Sequence, residues 1–363
     1  MIRSQAVLIF ALALSLFALP VSAQDTSDAE AYRQALQEDI TQTREQIRKR
    51  GAVFLDDSRT VDERLEAVRD VSALINPDQI ERAKRLVASD IAPPIRARAL
   101  DLMTSALIED EDFVRTVLDR LADSDEPVEV REAASEAIQS SLMSINFVRA
   151  EEDPVRSRIF STYRSLLDDP EQSLRRDAFE VLVPEGDSEA ISRLIEGLQA
   201  PEELPMSTAA VLSLVGPRLP QNARELVADI MREPPTLAAQ VEAVRLLGGY
   251  EPVRETIVGY VQDADAPAQL RLAAAKTLAA NAPDRFTELA RSIVPNDDFA
   301  TDLRVFAVEA IRQQRLSRDA STLTRSPDEL DRAIMSLAER GEPETLRAVA
   351  QRYVNTTYLS PNQ

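Results

Sequence analysis

The chain contains no cysteine, no histidine and no tryptophan. Without cysteine there is no disulfide, no thiolate ligand and no thiol nucleophile, and lipid attachment at an N-terminal cysteine is excluded. Without histidine, a His-based catalytic triad and a His-ligated metal are excluded as well. Eight glycines in 363 residues form no phosphate-cradling loop, and no Asp-x-Asp-x-Asp-Gly calcium loop is present. No cofactor is therefore expected. Aromatic residues make up 4%, so the 44% apolar content comes chiefly from Ala, Leu, Val and Ile, a composition that suits helices packed at close range. Lysine is confined to Lys49, Lys84 and Lys276, and the other 39 basic residues are arginine. Against 42 basic side chains stand 62 acidic ones, a net charge of −20. Such a surface repels nucleic acid and anionic lipid, which are excluded as expected partners, and it also serves solubility in a salty environment.

The first 23 residues stand apart. Arg3 supplies a positive start, "AVLIFALALSLFALP" an apolar run, and "VSA" before Gln24 a small-x-small cleavage pattern, the marks of a secretory signal peptide. The run is shorter than the roughly 20 residues of a membrane-spanning helix, and no later segment is apolar enough to span. Cleavage after Ala23 leaves 340 residues, expected in a periplasm or outside the cell. "NTT" at 355–357 matches a glycosylation sequon, which matters only in a eukaryotic secretory pathway.

The rest of the chain repeats. "SDEPVEVREAASEAI" (124–138), "DDPEQSLRRDAFEVL" (168–182), "DADAPAQLRLAAAKTLAA" (263–280) and "NDDFATDLRVFAVEAI" (296–311) share one form, and five fainter copies accompany them. Anchored on the arginine column, the copies fall at Arg64, Arg96, Arg131, Arg175, Ser207, Gln240, Arg271, Arg304 and Asp331, with spacings of 27 to 44 residues around a period of about 33. One residue before the anchor, eight of nine are apolar; three after it, eight of nine are alanine, Ile334 being the exception; four after it, only Ser135 is polar. These offsets, with an apolar residue seven after the anchor, lie on one helix face. Amphipathic segments between the anchors, such as 77–88, 111–122, 188–199 and 222–231, supply a second helix to each unit. The reading is all-α: an α-solenoid of about nine helix-turn-helix repeats with no sheet. The organisation expected is a signal peptide at 1–23, a capping helix at 24–50, the repeat array at 51–355 and a tail at 356–363. An insertion falls around 146–153 and a shortened helix near 315–327.

The "D..P...LR..A...L" units at 125–138, 169–182, 265–278 and 298–311 resemble the HEAT repeats, in particular the short kind first noted in phycobilisome lyases. The resemblance spans about 60–355. It implies a solenoid that serves as scaffold or binding surface, and it says little about function beyond that. Tetratricopeptide repeats share the period but need Trp, Gly and Tyr positions that are missing; ankyrin repeats need a "TPLH" motif. HEAT-type hydroxylases use His-Glu pairs, which this chain lacks.

Six residues before the anchor stand Asp90, Asp125, Asp169, Asp265 and Asp298, each accompanied by Arg96, Arg131, Arg175, Arg271 and Arg304. Each Asp is expected to close the inter-helix turn and accept backbone N–H groups. Each Arg is expected to reach an Asp of its own or a neighbouring repeat, and the resemblance implies such a ladder. Five copies on five layers cannot converge on one substrate, so the pairs read as structural. Five residues after the anchor runs a mostly polar column with Asp101, Glu136 and Glu180 as its acidic part and Arg245 and Lys276 as its basic part, with Leu212 the apolar member. Solenoids bind along such faces, and these five residues are the candidates for holding a protein partner, a basic peptide at the acidic part. A second candidate is 201–250, with Gly216, Gly248 and Gly249 as a hinge or as two diverged repeats. The expected function is a non-enzymatic, exported scaffold that binds another protein. The alternatives are an accessory subunit or carboxylate-only enzyme acting on an envelope polymer, and a cation-buffering domain. The sequence does not specify an oligomeric state.

Overall fold

Residues 26–104, 106–148, 153–317, 326–340 and 342–358 are described by the computed structural model. The signal peptide with residues 24–25, half of the expected insertion (149–152), residues 105, 318–325 and 341, and the last five residues lie outside them. No helix among the described residues is long and apolar enough to cross a membrane. The chain divides into two units, one ending at Glu185 and one beginning at Gly186.

In the first unit the helices are α1 (Thr26–Phe54), α2 (Val61–Ala67), α3 (Pro77–Ala88), α4 (Pro93–Leu102), a single turn α5 (Ala106–Glu109), α6 (Glu111–Ala122), α7 (Val128–Val148), α8 (Pro154–Ser165) and α9 (Gln172–Glu185). The hairpins α1/α2, α3/α4, α6/α7 and α8/α9 stack so that α3, α6 and α8 form one layer and α2, α4, α7 and α9 the other. The second unit contains α10 (Ser188–Gly197), α11 (Thr208–Val215), α12 (Arg224–Arg232), α13 (Leu237–Leu246), α14 (Arg254–Gln262), α15 (Ala268–Asn281), α16 (Pro283–Ile293), α17 (Thr301–Ser317), α18 (Glu329–Arg340) and α19 (Glu344–Thr357). They pair into five further hairpins, and α11, α13, α15, α17 and α19 pack successively as its second layer. All described secondary structure is helix or turn. The first hairpin uses more than a cap: α1 runs through the expected boundary at residue 50 and ends at Phe54, which is fully buried.

Local chemistry sets these boundaries. Four first-layer helices begin on side-chain caps: Asn76, Asp110, Asp153 and Asp187 each accept a backbone N–H of the turn they open. Thr60 and Glu63 form a reciprocal capping box at α2. Six of the eight alanines three after the anchor, Ala99, Ala134, Ala178, Ala243, Ala274 and Ala307, are fully buried at 0% exposure. With only a methyl group at each layer, neighbouring helices approach closely, which is why the fold manages with so few aromatics.

The anchor arginines act differently from the expected ladder. Arg64 Nε donates to Phe54 O (2.7 Å), Arg131 Nε to Leu121 O (3.1 Å), Arg271 Nε to Val261 O (3.4 Å) and Arg304 Nε to Val294 O (3.1 Å), each ten residues upstream. Gln240 does the same to Met231 O at 3.0 Å. Each thus satisfies a carbonyl left unpaired at the end of the hairpin's first helix. The outer nitrogens then meet the next hairpin. Arg131 forms a buried pair with Asp169, Arg96 with Glu126 (2.7 Å), and Arg271 lies 5.0 Å over the Phe299 ring. Glu126 also takes Arg120 at 2.9 Å.

The pairs expected within a repeat are therefore corrected. Arg96 does not use Asp90, and Arg131 does not use Asp125; both acids are exposed. Arg175 Nη1 donates to the backbone carbonyls of Asp169 (2.6 Å) and Pro170 (2.9 Å), not to the Asp169 carboxylate. Arg271 does not pair with Asp265, and Arg304 pairs with Asp297 rather than its neighbour Asp298. The turn is closed mostly two residues earlier. Asp56, Asp123, Asp263 and Asn296 accept the N–H two residues on, at 2.9 to 3.1 Å. Asp90, Asp125, Asp265 and Asp298, each six before its arginine, are exposed, whereas Asp169 is buried and holds Arg131 of the preceding hairpin.

Two anchors shift register. Ser207 is the N-cap of α11, and Thr208, Val211, Leu212 and Val215 are its buried face, so the column slips by one residue. Leu212 then belongs to the seam and not to the polar ribbon. Asp331 lies on α18, which packs on α16 as a first-layer helix. The second-layer helix of the last hairpin is α19, where "PETLRAVA" places Leu346, Arg347 and Ala350 in the repeat's own columns, with Leu346 and Ala350 fully buried.

Arg131→Met leaves the Asp169 carboxylate buried beside apolar surface and is expected to cost about 3–5 kcal/mol in urea unfolding followed by circular dichroism. Adding Asp169→Leu should recover more than about half of that loss. A single variant that loses under about 1 kcal/mol would show that the pair carries no buried charge.

Candidate functional site

The second-layer face of the first unit carries the acidic candidates, on α4, α7 and α9. Asp101 is partly buried and receives Arg98 Nη1 at 3.2 Å. Arg98 in turn donates Nη2 to Val68 O and Val71 O, both at 2.6 Å, closing the end of α2. Burial pushes the Asp101 carboxyl up; Arg98 opposes the shift, and the negative charge of Glu136 adds to it, leaving it above its ordinary value. Asp101 and Glu136 therefore sense each other across adjacent layers. Glu136 and Glu180 are exposed, and Glu180 lies 3.9 Å from Arg176. Of the three acids, Asp101 is committed to the framework through Arg98, while Glu136 and Glu180 stand at the surface.

Beneath this face Ser135, the one polar residue in an otherwise apolar column, is fully buried for a specific reason. Its hydroxyl donates to Asp177 Oδ2 (2.8 Å), lies 3.2 Å from Tyr163 Oη, and accepts from Gln139 Nε2 at 3.0 Å. Tyr163 Oη donates to Ser135 O at 3.1 Å, and burial holds its hydroxyl well above the ordinary tyrosine range. A serine whose proton is committed to a carboxylate, with no imidazole or amine as base, is not an activated nucleophile. The network ties α7, α8 and α9 together and adds Asp177, only partly buried, to the acidic face.

The basic candidates lie in the second unit. Arg245 is exposed and paired with Glu242 at 2.5 Å, and Lys276 is exposed with its ammonium 6.0 Å over the Phe306 ring. Two of the three glycines of 201–250 stand at close packing contacts. A Cβ on Gly216 would stand 2.5 Å from a Leu246 methyl, and one on Gly248 would collide with Asn281, so close packing explains these two.

Sequence reasoning missed a second polar cluster, at the last hairpin. Asp331, 1% exposed, accepts from Tyr353 Oη, from the Asp328 N–H (2.9 Å) and from Arg315 Nη2 (3.4 Å). Arg315 also pairs with Asp328 at 2.8 Å. Burial pushes the Asp331 carboxyl up, but the hydrogen bonds from Tyr353, Asp328 and Tyr358, with the Arg315 charge, outweigh it and leave it below its ordinary value. Burial and the Asp331 charge raise both Tyr353 and Tyr358. An aspartate standing in the arginine column was the signal in the sequence.

The surface also carries two depressions. One of about 170 Å³ lies between α6 and α8, lined by Val114, Leu118, Val155 and Arg158 among others. The other, about 480 Å³, is lined by Asp297, Arg304, Leu337, Arg340 and their neighbours, and Asp297 there is held by Arg304. Among the described residues no group of three or more acids gathers in metal-binding geometry.

No protein-family model matches the chain, and no curated protein sequence matches it. Among solved structures it is similar to human deoxyhypusine hydroxylase in complex with glycerol, at 15% identity over 88% of this chain and 98% of that one, with a TM-score of 0.29. A likeness at that level carries no conclusion about chemistry.

Because Asp331 is lowered in the folded protein, its contribution is fully present above the ordinary carboxylate pKa of about 3.9 and is lost as pH falls through the lower folded value. Asp331→Asn should lower the thermal midpoint at pH 7 by at least about 4 °C, a difference that shrinks near pH 2.5. An equal difference at both pH values would contradict this account.

Proposed function

We propose that the protein is an exported, non-enzymatic HEAT-type scaffold that binds a basic segment of another protein along the second-layer face of its first unit. The observation that carries this reading is the run of carboxylates Asp101, Glu136, Asp177 and Glu180 on three successive helices of one layer, where burial and the Glu136 charge already disfavour ionisation of Asp101. A cationic side chain laid across the run relieves that repulsion, and charge complementarity of this kind governs both specificity and capture rate. The repeated "P...LR..A" pattern supports the repeat class, and the charged start and apolar run of residues 1–23 support export.

The test is affinity capture from the envelope of the exporting cell, read by quantitative mass spectrometry. Glu136→Lys with Glu180→Lys should reduce capture of the partner at least about tenfold while moving the thermal midpoint by less than about 2 °C, since neither side chain is buried. Asp101 is left intact because its loss would disturb Arg98 and the end of α2. Unchanged capture would remove the acidic face as the binding surface. N-terminal sequencing of the exported chain should begin at Gln24; a chain beginning at Met1 in the membrane fraction would contradict export by cleavage.

A further inference from the structure

We propose that α1 is a self-association surface, on which a second copy of this chain lays its own α1 in antiparallel orientation. This inference concerns a different element from the acidic face and does not depend on it.

The helix is 29 residues long, about 43 Å at 1.5 Å per residue, yet none of residues 32–50 is buried. It is anchored at its end, where Gly51 and Phe54 are buried and Gln79 Nε2 donates to Arg48 O at 2.7 Å. Its other turns project beyond that contact, although in proteins most helical stability comes from packing an apolar face against a neighbour. The apolar side chains of the projecting part are Tyr32, Leu36, Ile40 and Ile47, spaced by four, four and seven residues along one face, and Tyr32 is 57% exposed.

The charges identify the occupant. Residues 28–39 carry four acids (Asp28, Glu30, Glu38 and Asp39) against one base, Arg33. Residues 44–50 carry four bases (Arg44, Arg48, Lys49 and Arg50) against one acid, Glu45. In a chain of net charge −20, this is a cationic segment on an otherwise acidic molecule. The helix macrodipole accounts for acids in the first turn and bases in the last, but Glu38 and Asp39 stand three turns in, beyond its reach. Pairing within the helix uses only part of the set. Arg48 takes Glu45 through two bonds of 3.0 Å, whereas Asp39, Arg44 and Arg50 make no ion pair among the described residues. A helix acidic at one half and basic at the other is complementary to itself only when reversed, which is the geometry of a two-fold isologous contact. In a parallel pair acid faces acid and base faces base.

The test is sedimentation velocity on residues 24–363 from about 2 to 200 µM, at about 50 mM and about 500 mM NaCl. The expected result is a monomer–dimer equilibrium whose dissociation constant rises at least about tenfold at the higher salt. Glu38→Arg with Asp39→Arg gives both halves of the helix a net positive charge, and Arg44→Glu with Arg50→Glu gives both a net negative charge. Each variant alone should be monomeric, and an equimolar mixture should dimerise at least as well as the unaltered chain. Leu36→Ser with Ile40→Ser should also weaken association about tenfold, through loss of the apolar strip. Circular dichroism melting keeps the variants comparable, because none of these side chains is buried in the monomer. An unaltered chain that stays monomeric to about 200 µM overturns the proposal. So does a dimer that survives both charge variants, and so does a mixture that fails to restore what each variant lost.

Discussion

Every hairpin in this fold faces the same difficulty. Its first helix ends in carbonyls that the next hairpin would bury, and a buried carbonyl without a donor is costly. The arginine in the first turn of the second helix meets that need by donating Nε ten residues back along the chain, as Arg64, Arg131, Arg271 and Arg304 do. With Nε committed inward, the outer guanidinium reaches the following hairpin in Arg131 and Arg271, while Arg304 pairs with Asp297 in its own turn. What is found there differs: Arg131 meets Asp169, Arg271 meets the Phe299 ring, and Arg96, whose Nε has no partner among the described residues, meets Glu126. The bond within the hairpin is therefore repeated, while the bond between hairpins is local to each junction. Lysine could not replace these arginines, because a single ammonium cannot cap one helix and reach the next turn with a fixed planar fork.

The alanine column is the second half of the same arrangement. Close approach of neighbouring helices requires a small residue where they cross, and six such alanines are completely buried. Close packing in turn places the arginine within reach of both the carbonyl behind it and the turn ahead. Polar residues that interrupt the columns are not defects. Ser135 joins Tyr163 and Asp177, and Asp331 joins Tyr353 and Arg315, so that each buried polar atom of these clusters has a partner where an apolar side chain is missing. Both clusters sit where the repeat spacing departs from its norm, beside the insertion and in the last hairpin.

With acids assigned to caps, turns and junctions, part of the strong negative charge has a structural use. Asp110, Asp153 and Asp187 cap helices; Asp56, Asp123 and Asp263 close turns. The acids left for function are those on exposed second-layer positions such as Glu136 and Glu180, and those on the projecting part of α1. The two proposed surfaces, the acidic second-layer face and α1, are built from such exposed acids.

The helical class, the period, the alanine seam and the pairing of helices were legible in the sequence, because each rests on the 3.6-residue rhythm of a single helix and on turn residues close by in the chain. The location of the polar ribbon followed from the same rhythm, for Glu136, Glu180 and Lys276 are exposed where the offset places them. The partner of each arginine was not legible. Asp125 and Asp169 occupy the same column, yet one faces water and the other holds Arg131, because an acid's neighbours across a junction are set by how one hairpin seats on the next. Register at Ser207 and the true last anchor at Arg347 were likewise decided by packing, which buries Leu212 and turns α18 onto α16. Local periodicity determines which face of a helix is apolar; only the stacked structure decides which side-chain atoms that face brings together, since those contacts join residues some thirty positions apart.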